Sequence, residues 1–175
     1  QNTFSIIERL IPTGKAICSL CSRLRRGILY NLADQLNITK IALGHHRNDI
    51  LETFFLNLFF SSKIKAMPPK LKTDDGRHVV IRPMAYIKET DLERFADINQ
   101  YPLVPKGLCG AQENPQRRLI KQMINDWEKQ YKGRVENIFS ALSTLVPSHL
   151  MDRTQYDFIN LHASSISPAK TTINE

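Results

Sequence analysis

The sequence predicts an α/β fold in which part of a parallel β-sheet is followed by C-terminal helices. Two short apolar segments, 40–43 and 78–82, have the composition of buried strands. The segment between them carries apolar residues at helical spacing, and a helical crossover of this kind favours parallel strands. A typical sheet has about five or six strands, so two strands predict an incomplete one.

The segment before the first strand is predicted to be helical. A short helix spans Phe4–Leu10 and is followed by a turn at Pro12–Gly14. A second helix spans Ser19–Leu36, because apolar residues recur in it at helical spacing. Its apolar stripe consists of Leu24, Ile28, Leu32 and Leu36.

The first predicted strand, Lys40–Leu43, leads through Gly44–His46 into a helix that begins near Asn48. One face of that helix is apolar and the opposite face is polar. Asp49 and Glu52 are three residues apart, so their carboxylates are predicted to lie on the same face.

Turn and helix signals divide the rest of the chain. Paired prolines predict a loop over 61–69, and Asp74–Gly76 is a turn signal before the second strand. A helix over 90–99 is predicted to have Thr90 or Asp91 as its N-cap. The remaining segments are predicted as a loop over 101–114, helices over 115–131 and 135–145, and a disordered tail from about residue 160.

Composition and charge limit the classes of function. A net charge of +7 and a pI near 9.5 favour a polyanionic partner such as RNA, because Lys and Arg that neutralise phosphates release counterions. The longest apolar stretch, Leu51–Phe60, contains Glu52, Thr53 and Asn57, which excludes a membrane span there. The chain begins with Gln1 without a signal-peptide pattern, which predicts a cytoplasmic protein, or a piece of a longer one.

Three cysteines, Cys18, Cys21 and Cys109, are candidate metal ligands. An odd number without a secretion signal disfavours a disulfide framework. Two thiolates at the spacing of Cys18 and Cys21 can bind one metal ion or cluster, and Cys109 lies between glycines at 107–110. The three cysteines are compatible with an iron–sulfur cluster and also with inert buried thiols. A structural zinc site is also open, and its fourth ligand would be a histidine such as His45, His46 or His149.

The segment Gly44–Thr53 is a candidate nucleotide site. It joins the end of a strand to the start of a helix, which is where open α/β sheets bind ligands. A helix N-terminus attracts phosphate, and His45, His46 and Arg47 add polar or positive groups. Asp49 or Glu52 can hold Mg²⁺ on a nucleotide. The alternative is a capped helix whose polar residues are only solvated.

Basic residues cluster beside both cysteine segments, which favours an RNA-binding face over scattered solvated charges. The candidate RNA-binding residues are Arg23, Arg25, Arg26, Arg117 and Arg118.

Several segments together resemble the TtcA family of tRNA 2-thiocytidine synthetases, in the family's order and over about Pro12–Phe158. The segments are Cys18–Tyr30, Ile41–Arg47, Met67–Lys70, Val80–Pro83, Leu108–Gly110 and Val146–Leu150. The resemblance implies the C-terminal part of a PP-loop ATPase domain, of the adenine-nucleotide alpha-hydrolase type. It also implies an ATP- and Mg²⁺-dependent sulfur transfer to C2 of a cytidine in the tRNA anticodon loop.

The resemblance also implies cofactors, site residues and partners. Cys18, Cys21 and Cys109 would hold a [4Fe-4S] cluster whose unligated iron carries the sulfide. Gly44, His45, His46 and Asp49 would line the nucleotide site, with Asp49 also catalytic. The implied partners are tRNA and a sulfur donor such as a cysteine desulfurase, and a homodimer is compatible with the family.

The sequence departs from the family in three places. The Ser-Gly-Gly-Lys-Asp-Ser pyrophosphate loop is absent, so a C-terminal fragment is expected. Asn48 stands where the family usually has Asp, which removes one of two neighbouring acids. Lys106 stands where many members have a further cysteine. The expected organisation is nucleotide-binding domain over 1–100, cluster loop and C-terminal helices over 101–158, and a disordered tail over 159–175.

Overall fold

The computed structural model describes residues 4–10, 18–103 and 115–163. The chain divides into two compact units, residues 1–139 and 140–175. The elements, in chain order, are α1 (Phe4–Leu10), α2 (Cys18–Gln35), β1 (Lys40–Ala42), α3 (Arg47–Phe60), β2 (Lys70–Lys72), β3 (Val79–Ile81), α4 (Glu89–Ile98), α5 (Pro115–Gln130), α6 (Arg134–Ala141) and a 3₁₀ turn (Pro147–His149).

The strands of the described residues form one three-stranded sheet in the order β1-β3-β2. The two predicted strands, β1 and β3, are parallel neighbours, and the buried residues Ile41 and Val80 face each other in the register. Helix α3 lies in the crossover between them. The prediction of an α/β fold with a parallel strand pair is confirmed.

Strand β2 was not predicted, because it has only three residues and directly follows the paired prolines. It pairs antiparallel with β3, with Leu71 opposite Val80. The predicted turn at Asp74–Gly76 closes this hairpin, and Gly76 takes a φ of +74°, which favours glycine. Thr73 fastens the hairpin base, because its N–H donates to the His78 carbonyl at 2.9 Å.

The core of the first unit is built by α3 and α5. Leu51 and Ile120 are completely or almost completely buried, and Ile50 and Ile124 are also in the core. Burying each such side chain stabilises the fold by about 1.5–3 kcal/mol. This packing holds α3, which begins at the candidate nucleotide site, against the first turns of α5.

The predicted apolar stripe of α2 is only partly buried, which corrects an amphipathic-helix expectation. Leu32 and Leu36 are 47% and 58% exposed, whereas Ala33 is buried. This helix approaches the sheet near its end, where Tyr30 and Asp34 meet His78, the residue before β3.

Two helix boundaries also differ from prediction. Helix α4 begins at Glu89, with Lys88 as its N-cap in place of Thr90 or Asp91. A tertiary contact replaces the local cap, because Asn48 Oδ1 accepts the Glu89 N–H at 3.2 Å.

Helix α6 ends at Ala141, before the predicted end at 145. Ser143 and Thr144 end the helical pattern, because their N–H groups donate in tight turns to the carbonyls of Ser140 and Ala141. Most of the predicted 101–114 loop and of the C-terminal tail lies outside the described residues. No described helix is long and apolar enough to cross a membrane.

Candidate active site

The candidate site lies at the carboxyl edge of the parallel strand pair. The pairing continues to this edge, because the Leu43 N–H donates to the Ile81 carbonyl at 2.9 Å. Gly44–His46 then turn the chain into α3. Met84 approaches Gly44 closely, since a Cβ built on the glycine would lie 3.4 Å from the Met84 Cε.

His46 and Asp49 form the start of α3. The His46 N–H donates to Asp49 Oδ2 at 3.1 Å, and the His46 Nε2 lies 3.4 Å from the same oxygen. A carboxylate in the first helical turn stabilises the positive end of the helix dipole. The Asp49 carboxylate is therefore fixed at the helix N-terminus, beside the imidazole.

Arg82 joins this edge, since it directly follows β3 as Gly44 follows the end of β1. Its Nη1 donates to the Pro68 carbonyl at 2.6 Å. Burial lowers the pKa of Arg82, and the positive charge of Arg26 adds to that effect against an opposing contribution from Tyr30. Arg26 of α2 therefore lies within electrostatic range of the site.

Burial also lowers the pKa of His45, and the positive charges of Arg82 and Arg117 add to this while Asp49 opposes it. These effects favour the neutral form of the His45 imidazole, in which one ring nitrogen donates and the other accepts.

Some polar atoms of this edge are buried without a hydrogen-bond partner among the described residues. They are His45 Nδ1, His46 Nδ1 and the Nε atoms of Arg47 and Arg82. A buried polar atom without a partner is costly, at about 1–3 kcal/mol. Atoms of this kind, clustered at a strand-to-helix edge, fit a polar or anionic ligand.

The two predicted carboxylates, Asp49 and Glu52, do lie on one face of α3, because one guanidinium contacts both. Arg117 Nη1 is 2.7 Å from Glu52 Oε2 and 3.7 Å from Asp49 Oδ1. Glu52 is 5% exposed, so it is not one of the solvated polar residues that the alternative interpretation required. Burial raises the pKa of Glu52, and the neighbouring Arg117 opposes this.

Further polar contacts tie the start of α3 to α4, α5 and α6. The buried Arg47 pairs with Glu136, and its guanidinium lies 5.8 Å from the centre of the Phe139 ring. Glu89, whose N–H is capped by Asn48, accepts a 2.6 Å hydrogen bond from Lys121 Nζ. Burial lowers the pKa of Lys121, but its hydrogen bond and ion pair with Glu89 outweigh this and raise it.

The candidate cysteines are only partly within the described residues. Cys18 is the first residue of α2, and Cys21 is a half-buried free thiol in the first turn of that helix. Cys109 lies outside the described residues. No group of three or more His, Cys, Asp or Glu side chains suited to a metal ion occurs in the part of the chain that the structure describes.

The candidate RNA-binding arginines are in two different situations. Arg23, Arg25 and Arg26 are exposed near the start of α2, and Arg118 is exposed on α5. Arg117 is instead engaged by the carboxylates of α3.

Sequence reasoning missed Arg82 as a site residue. Its position gave a usable signal, because the residue after a parallel strand lies at the same sheet edge as Gly44. The pairing of Arg117 with Glu52 had no local signal, since 65 residues separate them.

Several curated proteins are similar in sequence to this chain. The chain is 64% identical over 167 residues to the tRNA-cytidine(32) 2-sulfurtransferase of Herminiimonas arsenicoxydans, a match that covers 95% of this chain and 52% of that protein. It is 61% identical over 173 residues to the protein of the same name from Janthinobacterium sp. (strain Marseille), covering 99% and 55% of the two chains. The chain spans about half the length of these curated relatives.

A solved structure with a similar fold is the U34-tRNA thiolase NcsA from Methanococcus maripaludis with its [4Fe-4S] cluster. The TM-score is 0.60 at 19% identity, and the match covers 82% of this chain and 47% of that one. At this identity the likeness concerns the fold alone.

The PP-loop domain family matches residues 9–125, which is more than half of the chain. The matched range includes α2, the whole sheet and the strand-to-helix edge described above. The chain belongs to the PP-loop domain family.

Proposed function

We propose that the chain serves in the ATP-dependent transfer of sulfur to C2 of a cytidine in the tRNA anticodon loop, which gives 2-thiocytidine. The observation that carries this proposal is the 57–64% identity to relatives named tRNA-cytidine(32) 2-sulfurtransferase, over nearly all of this chain. The carboxyl-edge site supports it, because a sulfur transfer of this kind needs a nucleotide to activate the cytidine oxygen.

The nucleotide would lie against Gly44, His45 and His46 at the start of α3. The buried nitrogens of both histidines and the Nε of Arg82 have no partner among the described residues, and they suit the oxygens of a phosphate. Adenylation makes the cytidine oxygen a leaving group. The magnesium ion that accompanies the nucleotide would be held by Asp49, whose carboxylate contacts His46 and Arg117.

The cysteines Cys18, Cys21 and Cys109 would hold a [4Fe-4S] cluster. Cys21 fits this role, because it is a free thiol one helical turn after Cys18. Held by three cysteines, such a cluster would keep one iron without a protein ligand, and this would supply a soft site suited to sulfide.

The proposal places the reaction in the cytoplasm and includes three partners. They are tRNA, a sulfur donor such as a cysteine desulfurase, and a second copy of the chain. Exposed arginines of α2 and α5 support RNA binding, because they carry positive charge beside the site. They are Arg23, Arg25, Arg26 and Arg118.

The test combines metal analysis with tRNA analysis. Protein purified without oxygen is expected to contain about four irons and four sulfides per chain and to absorb as a [4Fe-4S] protein. Cys21→Ser should lose most of this iron, and cells with only that variant should lack 2-thiocytidine by mass spectrometry. Bound zinc without sulfide, or normal 2-thiocytidine in the variant strain, would contradict the proposal.

A further inference from the structure

The end of α3 and the turn after it form an exposed surface of aromatic and basic side chains. Phe59, Phe60 and Ile64 are 51%, 48% and 63% exposed, and the exposed Lys63 and Lys65 flank Ile64 along the chain. These five residues are called the aromatic–lysine surface. Single exposed apolar residues are ordinary, but Phe59 and Phe60 form an exposed ring pair with centroids 6.5 Å apart, only a few residues before Lys63, Ile64 and Lys65. An exposed aromatic pair of this kind beside lysines marks a binding surface.

The backbone beneath this surface is fixed by Asn57. Its carbonyl accepts the N–H groups of Ser61 and Lys63 at 3.0 and 3.1 Å, and its side-chain amide donates to the Lys65 carbonyl at 2.9 Å. The Phe55 ring lies against Phe59 at 5.6 Å between centroids and against Trp127 at 5.4 Å. The exposed rings therefore stand on an ordered base, so little conformational freedom is lost when a ligand binds them.

The charge of this segment favours an anionic partner. Residues 53–73 contain four lysines and no Asp or Glu. A two-fold contact between copies of the chain would bring the same patch onto itself, and the lysines of both copies would then approach each other. Flat aromatic faces beside lysines instead match unpaired RNA, whose bases stack on the rings while its phosphates contact the lysines.

We propose that the aromatic–lysine surface binds the unpaired nucleotides of the substrate RNA. This inference rests on the proposed function, and it assigns part of RNA recognition to residues apart from the arginine groups of α2 and α5. The rings of Phe59 and Phe60 contribute stacking, and Lys63 and Lys65 contribute phosphate contacts.

The experiment measures binding of the full chain to a labelled RNA hairpin with an unpaired loop, by fluorescence anisotropy at several salt concentrations. Phe60→Leu keeps an apolar side chain but removes the ring, so it should weaken binding roughly 5- to 150-fold with an unchanged salt dependence. The double variant K63A/K65A should reduce the slope of log affinity against log salt by about 1.4, or about 0.7 for each phosphate contact. A fully paired RNA of equal length should show neither effect.

The matched control is K70A/K72A, which removes the same charge from two exposed lysines of β2. It should change the salt slope by much less than K63A/K65A. Equal slopes in the two double variants, or unchanged hairpin affinity in Phe60→Leu, would overturn the proposal. A change of oligomeric state in Phe60→Leu by size-exclusion chromatography would overturn it in favour of a protein interface.

The amount of 2-thiocytidine in cellular tRNA distinguishes a failure of this inference from a failure of the proposed function. A strain carrying Phe60→Leu with K63A/K65A should lose 2-thiocytidine while the purified variant keeps its iron and sulfide. Retained 2-thiocytidine at the normal level would overturn the surface proposal alone. A wild-type protein without iron and sulfide would instead refute the proposed function, and the hairpin measurements would still decide the RNA surface.

Discussion

Replacement of Arg117 by Leu tests whether the buried carboxylate of α3 depends on its partner in α5. Glu52 is 5% exposed and its Oε2 is 2.7 Å from Arg117 Nη1, so the variant leaves a buried carboxylate without that ion pair. Removal of one partner from a fully buried pair costs about 3–5 kcal/mol. The Arg117 side chain is 37% exposed, so solvent screens the pair and a loss of about 2 kcal/mol is expected.

Thermal unfolding followed by circular dichroism measures this loss. A change of about 2 kcal/mol lowers Tm by about 4–8 °C in a chain of this size. The matched control is Arg118→Leu, which removes an exposed arginine next to it on α5 and should change stability by no more than about 0.5 kcal/mol. The double variant E52Q/R117L should be more stable than Arg117→Leu, because it no longer buries a charge.

The pH dependence supplies a second check. Burial raises the pKa of Glu52, and Arg117 opposes that rise, so the variant raises this pKa further. A raised carboxyl pKa destabilises the fold above that pKa, and the effect disappears as pH falls towards the ordinary value of 4.5. The stability gap between wild type and Arg117→Leu should therefore be widest at neutral pH and should narrow on acidification. A gap that does not change with pH, or equal losses in Arg117→Leu and Arg118→Leu, would refute the reasoning.

Three further predictions concern separate regions. Ser62 has a φ of +51°, a conformation that costs an L-residue about 1–2 kcal/mol. Ser62→Gly should therefore raise the free energy of unfolding in urea by about 0.5–1 kcal/mol. The same change at Asn37, whose φ is +53°, should stabilise less. His78 is 3% exposed and its Nε2 lies 3.0 Å from Asp34 Oδ1, so His78→Leu should lower stability by about 1–3 kcal/mol; an unchanged Tm would contradict this. Cys109→Ala in the complete protein should abolish 2-thiocytidine while the circular dichroism spectrum stays unchanged. Thiolated tRNA in a strain with only that variant would exclude Cys109 from the reaction.

Local patterns predicted the elements whose signals are local. Strand β1 and helix α3 follow directly from a short apolar run and from helical spacing, and the Asp74–Gly76 turn follows from its residue types. Strand β2 could not be predicted in this way, because Lys70–Lys72 become a strand only through hydrogen bonds to β3.

Tertiary contacts account for most of what the sequence did not predict. The N-terminus of α4 is set by an amide on α3, 41 residues earlier, and not by the Thr90 or Asp91 beside it. The apolar spacing of α2 gave the helix correctly but not its burial, because burial depends on tertiary contacts that the spacing does not encode. The family resemblance indicated Gly44, His45, His46 and Asp49 as nucleotide-site residues, and this stays a prediction. The position of Arg82 at the same edge of the sheet follows only from the parallel pairing.

The polar residues at the start of α3 divide into two groups with different roles. Arg47, Asn48 and Glu52 contact α6, α4 or α5, so their substitution should act first on stability and on the position of the helix. Asn48 belongs to this group, because its amide oxygen accepts the Glu89 N–H at 3.2 Å. The second group has buried nitrogens without partners among the described residues, and its substitution should act first on ligand affinity. It consists of His45, His46 and Arg82.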